Sequence, residues 1–189
     1  MLDVSRIDSG KLQLERRVAD LAGLVHQVAA AAQSLTDRHT ISVVAPVSME
    51  CEVDPLRLEQ VLTNLLDNAI KYSPDGGRIE VVLRQPTPDS VELSVRDHGL
   101  GIAPDRRAHI FERYYQAHNE VGRKGMGLGL YVSREIIDLH GGQIRADFPE
   151  DGGTRFVVRL PYARPSLATG PATRPKTVLN ASESRWPPS

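Results

Sequence analysis

Apolar positions along this chain follow two periods, and the switches between them mark out its elements. Leu21, Leu24, Val25, Val28 and Ala32 recur at spacings of three and four. That spacing predicts a helix ending near Ser34, with Asp20 as its N-cap. Upstream, Leu2, Ile7, Leu12 and Leu14 mix with charged residues around Gly10, a pattern that reads as helix broken at the glycine. Residues 40–44 (TISVV) and 51–53 (CEV) read as short strands around a turn containing Pro46. Asp54-Pro55 then opens a long helix, with Asp as N-cap and Pro in the first turn. It runs to about Tyr72 and stops at Ser73-Pro74-Asp75-Gly76-Gly77. Residues 78–84 and 91–97 read as the two strands of a hairpin. His98 to Lys124 is weakly patterned. Gly127 to His140 reads as a helix closed by Gly141-Gly142, and strands follow at 143–148 and 154–160. This order predicts an α+β fold, with helices covering one face of a mixed sheet.

Composition narrows the function classes. The chain has 189 residues, 40% apolar and 25% charged, as in ordinary globular proteins. Its 23 Lys and Arg balance 24 Asp and Glu, which disfavours nucleic-acid binding through bulk positive charge. The one cysteine, Cys51, permits no intrachain disulfide, and no His, Cys or carboxylate spacing suggests structural zinc. No apolar run approaches the roughly 18 residues of a membrane helix, and the N-terminus lacks a secretory h-region. A reduced, cytoplasmic setting is expected. From about residue 163 the chain is rich in Pro, Ser, Thr and Ala without apolar period, so 163–189 is expected to be a disordered tail, with Trp186 incidental to it.

Two features carry candidate chemistry. On a wheel of about 100° per residue, Leu58, Val61, Leu62, Leu65, Leu66 and Ala69 form the core face of the 55–72 helix. Arg57, Asn64, Asn68 and Lys71 share a second, narrow face. Asn is a poor helix former. The polar face is either solvated or a ligand site in which carboxamide oxygens meet a hard cation and Lys meets phosphate. The second feature is glycine. Ten of fifteen glycines fall between residues 97 and 153, including Asp97-His98-Gly99-Leu100-Gly101-Ile102 after a strand and Gly125-Met126-Gly127-Leu128-Gly129-Leu130 at a helix start. Such runs let backbone N–H groups approach phosphate, or let elements pack closely. Neither the P-loop nor the dinucleotide fingerprint is present. Asp97 is either a turn residue or a buried acceptor for a ligand amino group. About 23 residues separate the glycine runs and carry Arg106, Arg107, Arg113, Arg123 and Lys124, as a lid or binding loop would.

In this order the pieces resemble the ATP-binding catalytic domain of sensor histidine kinases, in the superfamily shared with DNA gyrase, Hsp90 and MutL. NLLDNAIKYS (64–73) resembles the N box, DHGLGI (97–102) the G1 box and FERYY (111–115) the F box. GMGLGL (125–130) resembles the G2 box, and GGTRF (152–156) the last glycine box. The opening LDVSRIDSGKLQLE resembles the end of the second helix of the kinase dimerisation hairpin. The resemblance implies a Bergerat-type two-layer α/β sandwich, its mixed, mostly antiparallel sheet under three helices. It implies three segments: 1–16 the hairpin end, 17–162 the catalytic domain, 163–189 the tail.

The resemblance further implies ATP and Mg²⁺ as cofactors. Asn68 would hold Mg²⁺, with Asn64 beside it. Lys71 would contact phosphate, and Tyr72 would flank the nucleotide. Asp97 would accept from the adenine amino group, joined by Thr154. Gly99, Gly101 and Ile102 would form the turn there. Gly125, Gly127, Leu128 and Gly129 would line the phosphates, and Arg113 would reach the γ-phosphate from the lid. Met126 stands where the family often has Thr or Ser. Asn64 stands where gyrase-like relatives have a general-base Glu. Asn cannot accept a proton, so transfer to another acceptor is expected over hydrolysis. No histidine here has the phosphoacceptor setting, so the acceptor is expected on another domain or chain, with a response regulator downstream. A non-catalytic ATP-binding docking module, or an anti-sigma serine kinase, are the alternatives.

Overall fold

The computed structural model describes residues 5, 7, 9–117 and 126–162. The tail from 163, Trp186, Gly125, Arg123 and Lys124 lie outside the described residues. In chain order the elements are β1 (Arg17–Asp20), α1 (Leu21–Gln33), β2 (His39–Val44), β3 (Glu50–Val53), α2 (Pro55–Lys71), β4 (Gly77–Thr87), β5 (Ser90–Asp97), a 3₁₀ turn (Pro104–His109), α3 (Gly129–Leu139), β6 (Gln143–Asp147) and β7 (Thr154–Pro161).

The main sheet has the order β2-β4-β5-β7-β6, parallel between β2 and β4 and antiparallel elsewhere. Register lines up the inward positions in rows. Leu83, Leu93, Val158 and Ile144 form one row; Val81, Val95, Phe156 and Ala146 form the next. α1, α2 and α3 bury this apolar face, with α2 central and packed against both other helices. The opposite face carries charge. Arg84 pairs with Glu92, Arg96 with Asp151, and Arg155 with Asp147. The alternation therefore fixes which side the helices cover. The result is the two-layer sandwich expected.

Two expectations differ. β2 and β3 are not neighbours: β2 pairs with β4, and β3 pairs antiparallel with β1 as a separate two-stranded sheet. Asp20 causes this. Its Oδ1 caps α1 by accepting from Ala22 N at 3.1 Å and also accepts from Met49 N at 2.9 Å. Leu21 N donates to Met49 O at 2.8 Å. The chain after Pro46 is thereby returned to β1 rather than to β2. The outer edge of β2 is met by Gln33, which donates to His39 O and accepts from Ile41 N; an amide side chain there blocks strand addition. The second difference is that residues 11–16 hold no helix and 17–20 form β1. Leu12 is buried in the core, so an extended strap suits it better than a helical turn.

The strap is held at a polar hub. Asp54 Oδ1 caps α2 by accepting from Arg57 N at 3.1 Å, and its Oδ2 accepts from Glu15 N at 2.9 Å. Asp54 N donates to His140 Nε2 at 3.1 Å, and His140 Nδ1 donates to Ile136 O at 2.8 Å. Arg16 donates to Leu139 O beside it. One ring nitrogen accepts and the other donates, so His140 is neutral. Burial accordingly holds its pKa below the ordinary 6.5. A depressed histidine pKa gives stability that is present above the unfolded value and lost as pH falls through the folded one. Urea unfolding should therefore show stability falling from pH 7.5 to pH 5.5. His140→Gln should be less stable than the parent at pH 7.5 by about 1–3 kcal/mol and show a shallower fall. Equal slopes in parent and variant would contradict this role.

Candidate functional site

A cavity of about 340 Å³ opens where α2, the ends of β5 and β7, and the start of α3 meet. That volume suits a small ligand. α2 supplies one wall. Asn64, Asp67, Asn68 and Lys71 lie at i, i+3, i+4 and i+7, one stripe of the helix, and all line the cavity. The stripe is polar because the opposite side of α2 fills the core with Leu58, Val61, Leu62, Leu65, Leu66 and Ala69. Ile102, Ile110, Leu128 and Phe156 make part of the remaining wall apolar.

At the strand end sits Asp97, only 4% exposed. It faces Thr154 across the β5–β7 register. Its Oδ1 accepts from Gly99 N at 2.9 Å and Thr154 N at 3.2 Å. No protein donor reaches Oδ2 among the described residues. Burial raises the Asp97 pKa, opposed by those two N–H groups. A desolvated carboxylate with one oxygen left over is able to accept from a donor entering the cavity.

The middle of the cavity is fixed by Asn64. Its Nδ2 donates to Ser133 Oγ at 3.0 Å, and Ser133 is buried on α3. Its Oδ1 lies against the Cα of Gly129, where any Cβ would collide with it. Gly129 is therefore needed for α3 to approach α2 so closely. Gly127, at φ +66°, packs against the backbone of Tyr114 and Tyr115. α3 begins with Leu128 at its N-cap position and no side-chain cap. Gly127, Leu128, Gly129 and Leu130 line the cavity, so the start of α3 borders it, a feature suited to an anion.

The segment after the 3₁₀ turn covers the cavity with Ile110, Tyr115, Gln116 and Ala117. Arg106 holds it by donating to Ala117 O, and Arg107 donates to Ile102 O at 2.9 Å while stacking 4.1 Å from the Phe148 ring centroid. Lys71 Nζ lies 5.0 Å from the Tyr72 ring centroid. Asp67 stands at the rim; it is exposed, and the burial it does have raises its pKa.

Most of the candidate residues converge here: Asn64, Asn68, Lys71, Tyr72, Asp97, Gly101, Ile102, Gly127, Leu128, Gly129 and Thr154 all line the cavity. Gly99 does not; its N–H orients Asp97. Arg57, on the same wheel face, lies at the far end of α2 and donates to Gln60. Arg113 is exposed, with its guanidinium 4.8 Å from the Tyr114 ring centroid and Nη2 donating to Tyr114 OH at 3.0 Å. Gly125 lies outside the described residues. Asp67, Tyr115, Leu130 and Phe156, which lie in the quoted boxes without an assigned role, also line the cavity, as do Ile110, Gln116 and Ala117. Asp67 had a signal, sitting on the i+3 position of the Asn64 stripe; the lid residues had no periodicity to show them.

Residues 53–164 match the family model for histidine kinase-, DNA gyrase B- and HSP90-like ATPases, and the chain belongs to that family. Among curated relatives, the sensor histidine kinase TmoS of Ectopseudomonas mendocina is 34% identical over 172 residues, covering 89% of this chain and 18% of the relative. The adaptive-response sensory kinase SasA of Trichormus variabilis is 41% identical over 133 residues, covering 67% of this chain and 33% of the relative. The kinase/phosphatase MprB of Mycolicibacterium paratuberculosis is 36% identical, covering 85% and 31%. The chain thus spans about a third or less of these relatives. Among solved structures, a mycobacterial sensor histidine kinase MprB aligns with TM-score 0.71 at 29% identity, covering 77% of this chain and 98% of that one. Full-length ShkA in complex with AMPPNP aligns with TM-score 0.73 at 28% identity, covering 86% and 34%. The fold is the Bergerat ATP-binding fold of histidine kinase catalytic domains.

Asp97 carries a stability consequence. A carboxylate whose folded pKa is raised favours folding most below its unfolded pKa and loses that contribution as pH rises. At pH 7.5 its buried charge opposes folding. Asp97→Asn keeps an oxygen for the Gly99 and Thr154 N–H groups and removes the charge. In urea unfolding at pH 7.5 the ligand-free variant should match the parent within about 1 kcal/mol or exceed it. A loss well beyond that would show Asp97 to be a structural residue.

Proposed function

We propose that this cavity binds ATP with Mg²⁺, and that the module passes the γ-phosphoryl group to a histidine on a separate dimerisation hairpin, from which a response regulator receives it. One juxtaposition carries the reading: a single cavity is lined by a buried acceptor, Asp97, by the Asn68/Lys71 stripe and by the uncapped start of α3. The free Asp97 oxygen suits the 6-amino group of adenine and repels a 6-oxo group, with Thr154 beside it. Tyr72 and Ile102 flank the base. Lys71 and the N–H groups from Gly127 onward, with Gly125 before them, suit the phosphates.

The donor set also fits a hard cation. Asn68 presents a carboxamide oxygen, and no group of three or more His, Cys, Asp or Glu able to hold a metal occurs among the described residues. Mg²⁺ is commonly held by few protein oxygens together with substrate phosphates. When bound it neutralises charge on the phosphates. The chain's own residues do the positioning. Asn64, joined to Ser133 and set against Gly129, offers no base to activate water, which supports transfer over hydrolysis. Arg113, on the lid segment and outside the lining, is assigned to charge stabilisation during transfer rather than to binding.

In this reading residues 1–16 come from the end of the hairpin helix, the last six laid on the domain as a strap; 17–162 are the catalytic domain and 163–189 a tail. No helix among the described residues is long and apolar enough to cross a membrane, and the module acts in the cytoplasm, where ATP and response regulators are found.

Calorimetry and a trans-phosphorylation assay test this. Asn68→Ala should weaken Mg·ATP binding by about 2 kcal/mol or more. The parent should prefer ATP over GTP by about 1–3 kcal/mol, and Asp97→Ala should erase most of that preference. With a separately supplied hairpin carrying an acceptor histidine, Arg113→Ala should lower acid-labile phosphorylation about 100-fold or more while changing ATP affinity little. Equal binding of ATP and GTP by the parent, or full transfer by Arg113→Ala, would contradict these assignments.

A further inference from the structure

Among the described residues two carboxylates line the cavity, Asp67 and Asp97, and they differ in how they are satisfied. Asp97 is engaged by the backbone N–H groups of Gly99 and Thr154. No hydrogen bond or ion pair reaches Asp67 from the described residues. Asp67 lines the cavity from the α2 stripe between Asn64 and Asn68, four residues before Lys71. The amide of Asn64 is already taken up by Ser133 and by the close approach of Gly129. Asn68 and Asp67 are therefore the α2 oxygens left to meet a ligand there.

We infer that Asp67 makes nucleotide binding conditional on a divalent cation: its carboxylate repels a bare triphosphate, and together with Asn68 it faces the cation of a metal–triphosphate complex. This rests on the nucleotide reading of the cavity. A metal-free triphosphate brings up to four negative charges against Lys71, the one cation lining the cavity among the described residues. Asp67 adds a fifth negative charge at the cavity rim, one residue from Asn68, and its repulsion of the phosphates is not offset by any hydrogen bond or ion pair from the described residues. A divalent cation between phosphate and carboxylate reverses the sign of that contact, and hard cations prefer a carboxylate oxygen to a carboxamide. A solvated surface Asp in the same sequence position would show neither effect.

The test compares two affinities in one titration series. The full chain and Asp67→Asn are titrated at pH 8 with ATP in EDTA, and with ATP in excess Mg²⁺. Asp67→Asn should bind metal-free ATP about tenfold tighter than the parent and bind Mg·ATP no tighter, so the metal-dependence ratio shrinks about tenfold or more. Asp67→Glu should largely restore that ratio. Asp75→Asn, exposed and outside the cavity lining, should leave it unchanged. In parallel, Mn²⁺ bound in the presence of ATP, followed by electron paramagnetic resonance, should be held more weakly by Asp67→Asn. An unchanged ratio in Asp67→Asn, or the same change in Asp75→Asn, would overturn the inference while leaving the nucleotide site standing. A parent chain that binds ATP neither with nor without metal would overturn both.

Discussion

The structure depends on how α2 is held. The helix must fill the core along one side and present Asn64, Asp67, Asn68 and Lys71 along another, so a small rotation would spoil both. Three anchors fix it. At its start, Asp54 caps the helix while its backbone N–H meets buried His140 at the end of α3. At its middle, Asn64 reaches Ser133 and touches Gly129, setting the α2–α3 separation. At its end, the Tyr72 carbonyl accepts from Leu100 N, in the turn that follows Asp97. The anchors bring the polar stripe, the buried carboxylate and the uncapped start of α3 to one cavity.

The upstream chain is fastened to the other ends of the same two helices. Asp54 uses one carboxylate oxygen for the α2 cap and the other for Glu15 N, and Arg16 meets the last carbonyl of α3. The strap thus joins the start of α2 to the end of α3 through backbone and side-chain hydrogen bonds and the buried Leu12.

Much of this was legible in the sequence, for physical reasons that can be named. Asp54-Pro55 marked the start of α2 because the cap and the fixed proline φ act locally. The Asn64/Asn68/Lys71 face showed because a helix repeats strictly. Gly129 and Gly127 stood out because close backbone approach leaves a glycine signature. Non-local effects were not legible. The pairing of β3 with β1 rests on Asp20 reaching Met49, a contact across 29 residues. The strap at 11–16 is extended because Leu12 finds the core, which no local propensity reveals. The cover formed by Tyr115, Gln116 and Ala117 has no period, and it is placed by Arg106 and by the space over Gly127. Arg57 shared the wheel face of the site residues yet lies beyond the cavity, because a wheel projects away distance along the helix axis.

The central claim is that one cavity receives the base at Asp97 and the phosphates at the start of α3. Backbone amide NMR of the isotopically labelled chain, titrated with Mg·ATP, tests it most directly. The amides of Gly99 and Thr154, both bound to Asp97, and those from Gly127 to Tyr131 should shift together at a single saturation point, while the strap and β1 amides stay in place. Shifts confined to one end of the cavity, or centred outside it, would contradict the account.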